Sequence, residues 1–531
     1  MATSTTRPSS AASKRLLKEL APLLSTRAFG LAERVLGEAL AEDLSLLSPD
    51  TISALINEIA AGLTGHENGK SVIRTQALDN GDAIFVAIND DMPFLFDSIM
   101  GEVNEHPGQV ALVVHPVASV QHDGTNFEIS DGLRRSLDAP EAVATSIIGC
   151  VLHGADTATL KAIKAGAAKT AKQVRAAVRD WKPMLTRVDA AVDELRDGVT
   201  PARKTDVEEA IAFLDWLRDD NFTFLGIREY DFSGGQARGK LQRSDTPSLG
   251  ILSDPDFRIL RRGDEAFTTT PQIRAFLNSR DLLIVTKANT KSNVHRRTYL
   301  DYIGIKRYDA KGKLKGELRL IGLFTSTAYT RSVKNIPYVR SKATAVLAKS
   351  HHAANSHSGK ALLNALETYP RDELFQISPT DLARHAEAIV ALHDRPRVRV
   401  LSRPDPFDRF VSVIVFVPRE RYSSEARENI CTYLAGEYDG RVSAYYPAFP
   451  EGASARLHVI IGRSDGATPK VASAKLEAGV SDIIKSWEDH LGETIRYEKP
   501  DTATTLFAQA GRLAFPQSYR DAVPAAQALL D

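Results

Sequence analysis

Asn89, Asp90 and Asp91 form one of two stretches that combine charged or polar side chains in a way that could bind a small ligand. They follow an apolar run of strand length and precede a proline that restarts the chain as a helix. Such a loop would place two carboxylates and free backbone N–H groups at a helix N-terminus, where a small polar molecule or a partner chain could bind. The two aspartates could instead simply cap the helix and interact with its positive end.

Arg296 and Arg297 form the second candidate site, just before a run over 299–308 that alternates as a strand does. Paired guanidinium groups can hold a carboxylate or a phosphate in a forked geometry. The same pattern is also typical of a half-exposed strand in a sheet that docks another domain. The residues alone do not separate a binding site from a docking strand.

Other patterns that could support enzyme chemistry are weak. Residues 234–240 have the glycine and lysine spacing of a phosphate-binding loop, but Leu241 stands where the metal-binding hydroxyl belongs, so a flexible hairpin is favoured. His351, His352 and His357 share one predicted loop with no rigid element to fix a metal geometry, which favours a solvated loop. No GxGxxG, HExxH or CxxC pattern occurs. These residues predict no catalytic, cofactor-binding or metal site.

The composition is that of a globular protein of several domains. At 531 residues the chain is too long for one core, and about three or four compact units are expected. Lys+Arg and Asp+Glu balance at 67 each, so we expect no binding of nucleic acid through a global field. Cys150 and Cys431 are the only cysteines, which excludes a disulfide framework and favours a reducing compartment, the cytoplasm. No run approaches the roughly 20 apolar residues of a membrane span, so no membrane binding is expected.

Apolar periodicity and turn signals divide the chain into successive units. In order they are predicted to be a disordered start (residues 1–25), a helical preface (26–80), a first α+β domain (81–195), a second α+β domain (200–340), a helical linker (341–395), a third α+β domain (396–495) and a connecting segment (496–531). The expected fold class is α+β with mostly antiparallel sheets, because hairpin signals such as residues 309–312 join successive strand runs. The first and third domains share one βαββα order, with Trp181 and Trp487 near the end of the closing helix, which predicts a repeated plan.

A series of short blocks stands in the order and register of one enzyme family. The most distinctive read Asp-Asp-Met-Pro-Phe-Leu at 90–95, His-Arg-Arg-Thr-Tyr-Leu-Asp-Tyr at 295–302 and Glu-Thr-Tyr-Pro-Arg-Asp-Glu-Leu-Phe at 367–375. Further blocks stand at 115–116, 221–226, 322–326, 336–337, 359–363, 395–399, 486–489 and 515–516. On these blocks the sequence resembles the large bacterial NAD-specific glutamate dehydrogenases.

The resemblance implies both a fold and a role. In that family the matching stretch is the non-catalytic N-terminal half, built of ACT-like modules, which are ferredoxin-type βαββαβ units with helical inserts. The family's catalytic core and its Rossmann domain for NAD lie further along, so no catalytic or cofactor-binding residue has a position here. The chain is therefore expected to be a fragment or a truncated product without activity of its own. NAD is implied only for the full-length enzyme, which would convert L-glutamate to 2-oxoglutarate and ammonium.

The resemblance also implies partners. We expect a small-molecule effector, such as an amino acid, at Asn89, Asp90 and Asp91 or at Arg296 and Arg297. The catalytic half of the enzyme and further copies of the chain, in a cytoplasmic homo-oligomer, are the other expected partners. The alternative is a free-standing ACT-like module for ligand sensing or protein interaction with no catalytic activity.

Overall fold

The computed structural model describes residues 11–123, 126–130, 144–233, 240–259, 261–262, 265–266, 271–406, 408–464, 466–498 and 515–529. Within these residues the chain folds into three large sheets and one two-stranded hairpin, with helices packed between and around the sheets. Every strand pair in the described residues is antiparallel, and the predicted α+β class is confirmed. No helix in this part of the chain is both long and apolar enough to cross a lipid bilayer.

Four helices open the described chain: α1 (Ala11–Leu20), α2 (Thr26–Glu38), α3 (Ala41–Ser45) and α4 (Pro49–Thr64). Ser25 and Ser48 begin α2 and α4, since each hydroxyl accepts a backbone N–H three residues further on. The leucine and isoleucine stripes of these helices pack on one face of the first sheet. The sequence places α1 in a disordered start, whereas the structure buries Leu20 in this apolar cluster.

The first sheet and its two helices form the first module. Its elements are β1 (Val72–Ala77), β2 (Asp82–Asp90), α5 (Leu95–Val103), β3 (Gln109–Val114), β4 (Val117–Asp123), β5 (Asn126–Ser130), β6 (Ala144–His153) and α6 (Thr157–Arg179). The strand order is β1-β2-β6-β4-β5. β4 pairs with the first residues of β6 and β3 pairs with its last residues, so β3 and β4 follow one another along the same edge of β6. β1 falls inside the predicted helical preface, because the polar residues Arg74, Thr75 and Gln76 carry no strand-like apolar alternation.

Two further helices connect the first module to the next sheet: α7 (Trp181–Asp197) and α8 (Lys204–Trp216). Asp180 separates α6 from α7, so the closing helix ends near Trp181 as predicted and a second helix follows it directly. The Asp180 carboxylate accepts the backbone N–H of Gly250 at 2.8 Å, which ties this break to the second sheet.

The middle sheet comes next in the chain. Its elements are β7 (Phe222–Ser233), β8 (Lys240–Arg243), β9 (Leu249–Gly250), β10 (Arg261–Arg262), β11 (Glu265–Ala266), α9 (Pro271–Asn278), β12 (Leu283–Lys291), β13 (Tyr299–Tyr308) and β14 (Leu314–Phe324). The order of the main strands is β12-β13-β14-β7-β8, with β9 beside β7, while β10 and β11 form the separate hairpin. The predicted turn at 309–312 is present: the N–H of Gly312 donates to Asp309 O at 2.9 Å, and Gly312 has φ of +74°.

A helical segment follows the middle sheet. It contains α10 (Ser326–Thr330), α11 (Val339–Lys349), α12 (His357–Thr368), α13 (Arg371–Gln376) and α14 (Pro379–Asp394). Ser378 caps α14 by accepting the N–H of Asp381, and Pro379 follows it as the first residue of the helix. The ammonium group of the buried Lys342 donates to the carbonyls of Leu374, Phe375 and Ile377 at 2.8 to 3.1 Å, which fixes the end of α13.

The last module repeats the first. Its elements are β15 (Arg399–Pro404), β16 (Phe410–Pro418), α15 (Ser424–Glu437), β17 (Arg441–Ala448), β18 (Ser454–Gly462) and α16 (Ser473–Ile483), followed by α17 (Trp487–Glu498) and α18 (Gln517–Ala522). Its strand order, β15-β16-β18-β17, equals the order β1-β2-β6-β3 of the first module. Each module begins with an edge strand, β1 or β15, that the predicted βαββα plan does not contain. Trp181 and Trp487 again occupy equivalent places, as the first residues of α7 and α17.

A buried ion pair joins the helical segment to the last module. Arg403 on β15 donates to both carboxylate oxygens of Glu373 on α13, with N–O distances of 2.6 and 3.0 Å. Both side chains are less than a tenth exposed. Burial alone would raise the pKa of Glu373, yet the Arg403 guanidinium holds it below its ordinary value. The pair therefore fixes how α13 faces the last sheet.

Replacing Glu373 by Gln is expected to lower the free energy of unfolding by about 3 to 5 kcal/mol, because Arg403 would keep a buried charge without its counterion. Adding Arg403→Met should recover part of that loss. Denaturant unfolding of both variants measures this, with Asp193→Asn as the control, since it breaks only the exposed Arg196–Asp193 pair. A loss for Glu373→Gln no larger than that of the control would contradict the assignment.

His385 on α14 is a buried histidine with one hydrogen-bond partner. Its Nδ1 lies 2.7 Å from the hydroxyl of Tyr369, and the residue is 1% exposed. Burial lowers the pKa of His385 to about 4, and Arg384 contributes to the same shift. The His385 imidazole is therefore neutral in the folded protein at neutral pH.

Acidification should destabilise the protein through His385. The unfolded chain takes up a proton near pH 6.5 and the folded chain only near pH 4, so stability falls as the pH drops through this window, by up to about 3 kcal/mol. His385→Gln keeps an acceptor for Tyr369 and should flatten this part of the pH profile of unfolding free energy. His351→Gln, at an exposed position, is the matched control and should leave the slope unchanged. Identical profiles for wild type and His385→Gln would refute the prediction.

Candidate functional site

The predicted loop at Asn89, Asp90 and Asp91 is a strand end in the structure. Asn89 and Asp90 belong to β2 and pair with β6, and the N–H of Asp91 donates to Ala144 O at 2.7 Å. α5 begins only at Leu95, and its first turn carries no side-chain cap. The interpretation of the two aspartates as helix caps is therefore wrong, because strand pairing continues through these polar residues.

The Asp90 carboxylate already has protein partners. It accepts hydrogen bonds from Arg175 on α6 at 2.7 Å and from the backbone N–H of Gly69 at 2.9 Å. Asn89 is fully buried, and its side-chain amide has no hydrogen-bond partner among the described residues. Binding of an effector at this strand end stays a prediction that rests on Asn89 and Asp91 more than on Asp90.

Arg296 and Arg297 do not face a common ligand position. Arg296 donates to the carbonyl of Phe324 at 2.6 Å, at the end of β14. Arg297 donates to Asn293 Oδ1 at 2.5 Å and to the carboxylate of Glu102 on α5. These contacts agree with the docking alternative, since Arg297 joins the start of β13 to the first module. A role for the two arginines in effector binding stays a prediction.

The weaker sequence patterns form no catalytic centre in the described residues. Residues 234–239 of the loop with phosphate-loop spacing lie outside them. His352 pairs with Glu387 at 2.9 Å, and no group of three or more metal-ligating side chains occurs in the described part of the chain.

Residues 462–466 spell Gly-x-Ser-x-Gly, but β18 ends at Gly462 and α16 begins at Ser473, so no sharp turn leads from strand into helix. Burial raises the pKa of the Cys150 thiol to about 12, which makes it unreactive.

A polar cavity of about 300 Å³ lies where the middle sheet, α13 and the last sheet meet. Lys287 and Tyr299 line it from the middle sheet, Asp372 from α13, and Tyr446 and His458 from the last sheet. Sequence reasoning missed this site, because its walls come from separate segments spread between residues 287 and 464. The block at 367–375 was the available signal, since it contains Asp372 and Glu373.

The cavity lies on the face of the last sheet opposite to α15 and α16. Alternate residues of β16, among them Val411, Val413 and Val415, pack under α15 and α16. The residues between them point to the other face, where Ser412 is bonded to His458 at 2.8 Å. α12 and α14 cover the apolar part of that face, and the polar part borders the cavity.

One wall of the cavity carries a buried lysine between two carboxylates. The Lys287 ammonium lies 2.7 Å from Asp301 and 3.2 Å from Asp372, and the Tyr329 hydroxyl donates to Asp372 at 2.8 Å. Burial would lower the pKa of Lys287, yet the two carboxylates raise it well above its ordinary value. Burial raises the pKa of Asp301, although the Lys287 ammonium opposes that shift. This wall is a preorganised ionic surface.

The opposite wall is stiffened by a second ion pair. Arg409 donates to both carboxylate oxygens of Asp405 at 2.8 and 3.0 Å and to the hydroxyl of Thr286 at 3.0 Å. Thr286 in turn donates to Gln376 on α13 at 3.2 Å. These bonds link β12, α13 and the start of β16 around the cavity.

Several polar groups on the lining have no partner among the described residues. They are the Arg441 guanidinium, the hydroxyls of Tyr299 and Tyr446, the Nδ1 of His458 and the second carboxylate oxygen of Asp372. Burial lowers the pKa of His458, so its imidazole is neutral and can donate or accept one hydrogen bond. The lining can therefore bind a polar molecule that carries both charges, whereas Ser412 is buried behind it and not placed as a nucleophile.

Three stretches of the chain match domain families of glutamate dehydrogenase. The family described as glutamate dehydrogenase, ACT1 domain, matches residues 31–166. Glutamate dehydrogenase, helical motif 1, matches residues 336–395, and glutamate dehydrogenase, ACT2 domain, matches residues 399–488. These ranges hold most of the first module, the helical segment and the last module.

Curated relatives agree with these matches. The NAD-specific glutamate dehydrogenase of Halomonas elongata is 35% identical over 458 residues, which are 84% of this chain and 28% of the relative. The enzyme of that name from Pseudomonas aeruginosa is 29% identical over 438 residues, covering 82% of this chain and 27% of the relative. The chain spans less than a third of the length of these relatives. It nevertheless belongs to the NAD-specific glutamate dehydrogenase family, of which it carries the ACT1, helical motif 1 and ACT2 domains.

Proposed function

We propose that this chain is the N-terminal regulatory and assembly region of an NAD-dependent glutamate dehydrogenase. The complete enzyme would oxidise L-glutamate with NAD to 2-oxoglutarate, ammonium and NADH in amino-acid catabolism. In this proposal NAD and glutamate bind to the catalytic half, the enzyme is a cytoplasmic homo-oligomer, and the present region senses a small effector.

The observation that carries the proposal is the junction of three units around one polar cavity. Two matched domain families, helical motif 1 and ACT2, meet there with the middle sheet, and each contributes ionisable side chains to the walls. A ligand bound at such a junction interacts with all three units at once and can favour one arrangement of them over another. This is the physical requirement for an effector site.

A free-standing interaction module is the second candidate, and the edge of the last sheet favours it. Among the described residues β17 pairs only with β18, and Tyr445, Tyr446 and Phe449 on or beside it are about half exposed. An edge strand with exposed aromatic side chains can add a strand from another chain. Reading the coding sequence beyond codon 531 separates the two candidates, since only the first requires a catalytic core to follow.

The purified chain should produce no NADH from L-glutamate and NAD, because within the described residues no parallel sheet offers a Rossmann crevice. Titration calorimetry with single L-amino acids should instead give saturable heat for at least one of them. Turnover above a protein-free control would overturn the regulatory assignment. The absence of binding across all twenty amino acids would overturn the sensing role.

A further inference from the structure

We infer that the cavity between the middle sheet, α13 and the last sheet binds a small α-amino acid, with its carboxylate at Arg441 and its ammonium at Asp372. The inference rests on the proposed function and names the site and the ligand class for it. It is carried by the volume of the cavity, by the two ends of its lining and by the balance of charge around it.

The volume suits a molecule of amino-acid size. The cavity of about 300 Å³ is many times larger than the space that one water molecule needs. Ligand pockets in proteins have volumes from about 300 to about 1,000 Å³, so an amino acid fits in this cavity.

The carboxylate end is formed where β17 begins. Arg441 lies opposite Gly462 on β18, and Ser443 is the extra residue of a bulge in this pairing. A side chain at position 462 would meet Ser443 Oγ at 2.2 Å, so glycine makes room for the Ser443 hydroxyl near the Arg441 side chain. A guanidinium with a hydroxyl nearby is suited to a carboxylate.

The ammonium end is formed by α13. Asp372 binds Lys287 and Tyr329 through one oxygen, Oδ1, and its Oδ2 has no partner in the described residues. The hydroxyl of Tyr446 is near enough to Asp372 to be influenced by its charge. A free carboxylate oxygen with phenol hydroxyls beside it is suited to an ammonium group, which needs three acceptors.

The charge balance selects among amino acids. The lining and its buried ion-pair partners carry Lys287, Arg403, Arg409, Arg441 and Arg463 as cations against Asp301, Asp372, Glu373 and Asp405 as anions. Apart from the exposed Asp439 near Arg463, one positive charge is in excess. A neutral or acidic amino acid is compatible with this excess positive charge, whereas the side chain of a basic amino acid would be repelled by it.

The test is titration calorimetry of the full chain with each L-amino acid, followed by the best ligand's analogues that lack the amino group or the carboxylate. A neutral or acidic amino acid should bind best, and both analogues should bind poorly. Arg441→Gln should weaken binding by between about tenfold and about a hundredfold, because it removes one charge-assisted contact. Asp372→Asn should weaken it similarly, and Arg419→Gln, at an exposed position of the same module outside the lining, should not.

The outcomes distinguish this inference from the proposed function. Arg441 is exposed and has no partner in the described residues, so its variant should keep the wild-type melting temperature even where Asp372→Asn does not. Binding that Arg441→Gln leaves intact but Asp91→Ala weakens would move the site to the end of β2, overturning the inference and keeping the proposed function. Best binding of lysine or arginine would also overturn it. Failure of every amino acid to bind would overturn both.

Discussion

The middle sheet must be covered on both faces, and the rest of the architecture follows from this constraint. Leu300, Tyr302 and Ile321 point to one side and pack with α6 and the core of the first module. Ile303 and Leu320 point to the other side and pack with α8 and the helical segment. A strand with apolar side chains on both faces cannot be stable beside water on either. The first module and the helical segment are therefore obligatory neighbours of this sheet.

Charged side chains at these junctions then have to be paired, because an isolated buried charge is costly. The carboxylate of Glu229 on β7 forms ion pairs with Arg187 of α7 at 2.5 Å and with Arg307 of β13 at 2.6 Å. Arg297 and Glu102 pair across the boundary with the first module, and Arg403 and Glu373 across the boundary with the last. Such pairs add little net stability over apolar packing, but each accepts only one relative arrangement of the units. The polar cavity lies inside this network.

Strands and helix starts with a local signal could be predicted from the sequence. The apolar runs of β2, β6, β7 and β16 and the serine caps of α4 and α14 are determined by their own residues. β1 and β15 were missed because edge strands need not alternate. The cavity could not be predicted, since Lys287, Asp372 and His458 meet only through long-range packing. The binding role given to Arg296 and Arg297 illustrates the same limit, as local sequence does not reveal that Phe324 O and Glu102 are their partners.

The two repeated modules differ in the chemistry of the face that their own helices leave uncovered. In the first module Ile84, Val86 and Ile88 occupy that face of β2, and α1 to α4 seal it with apolar side chains. In the last module the corresponding face of β16 carries Ser412 beside His458, and only its other part packs on α12 and α14. Apolar packing excludes a polar ligand from the first face, while the second must be hydrated or occupied by one. One strand order therefore supports a face sealed by apolar packing at the start of the chain and a partly polar face beside a cavity at its end.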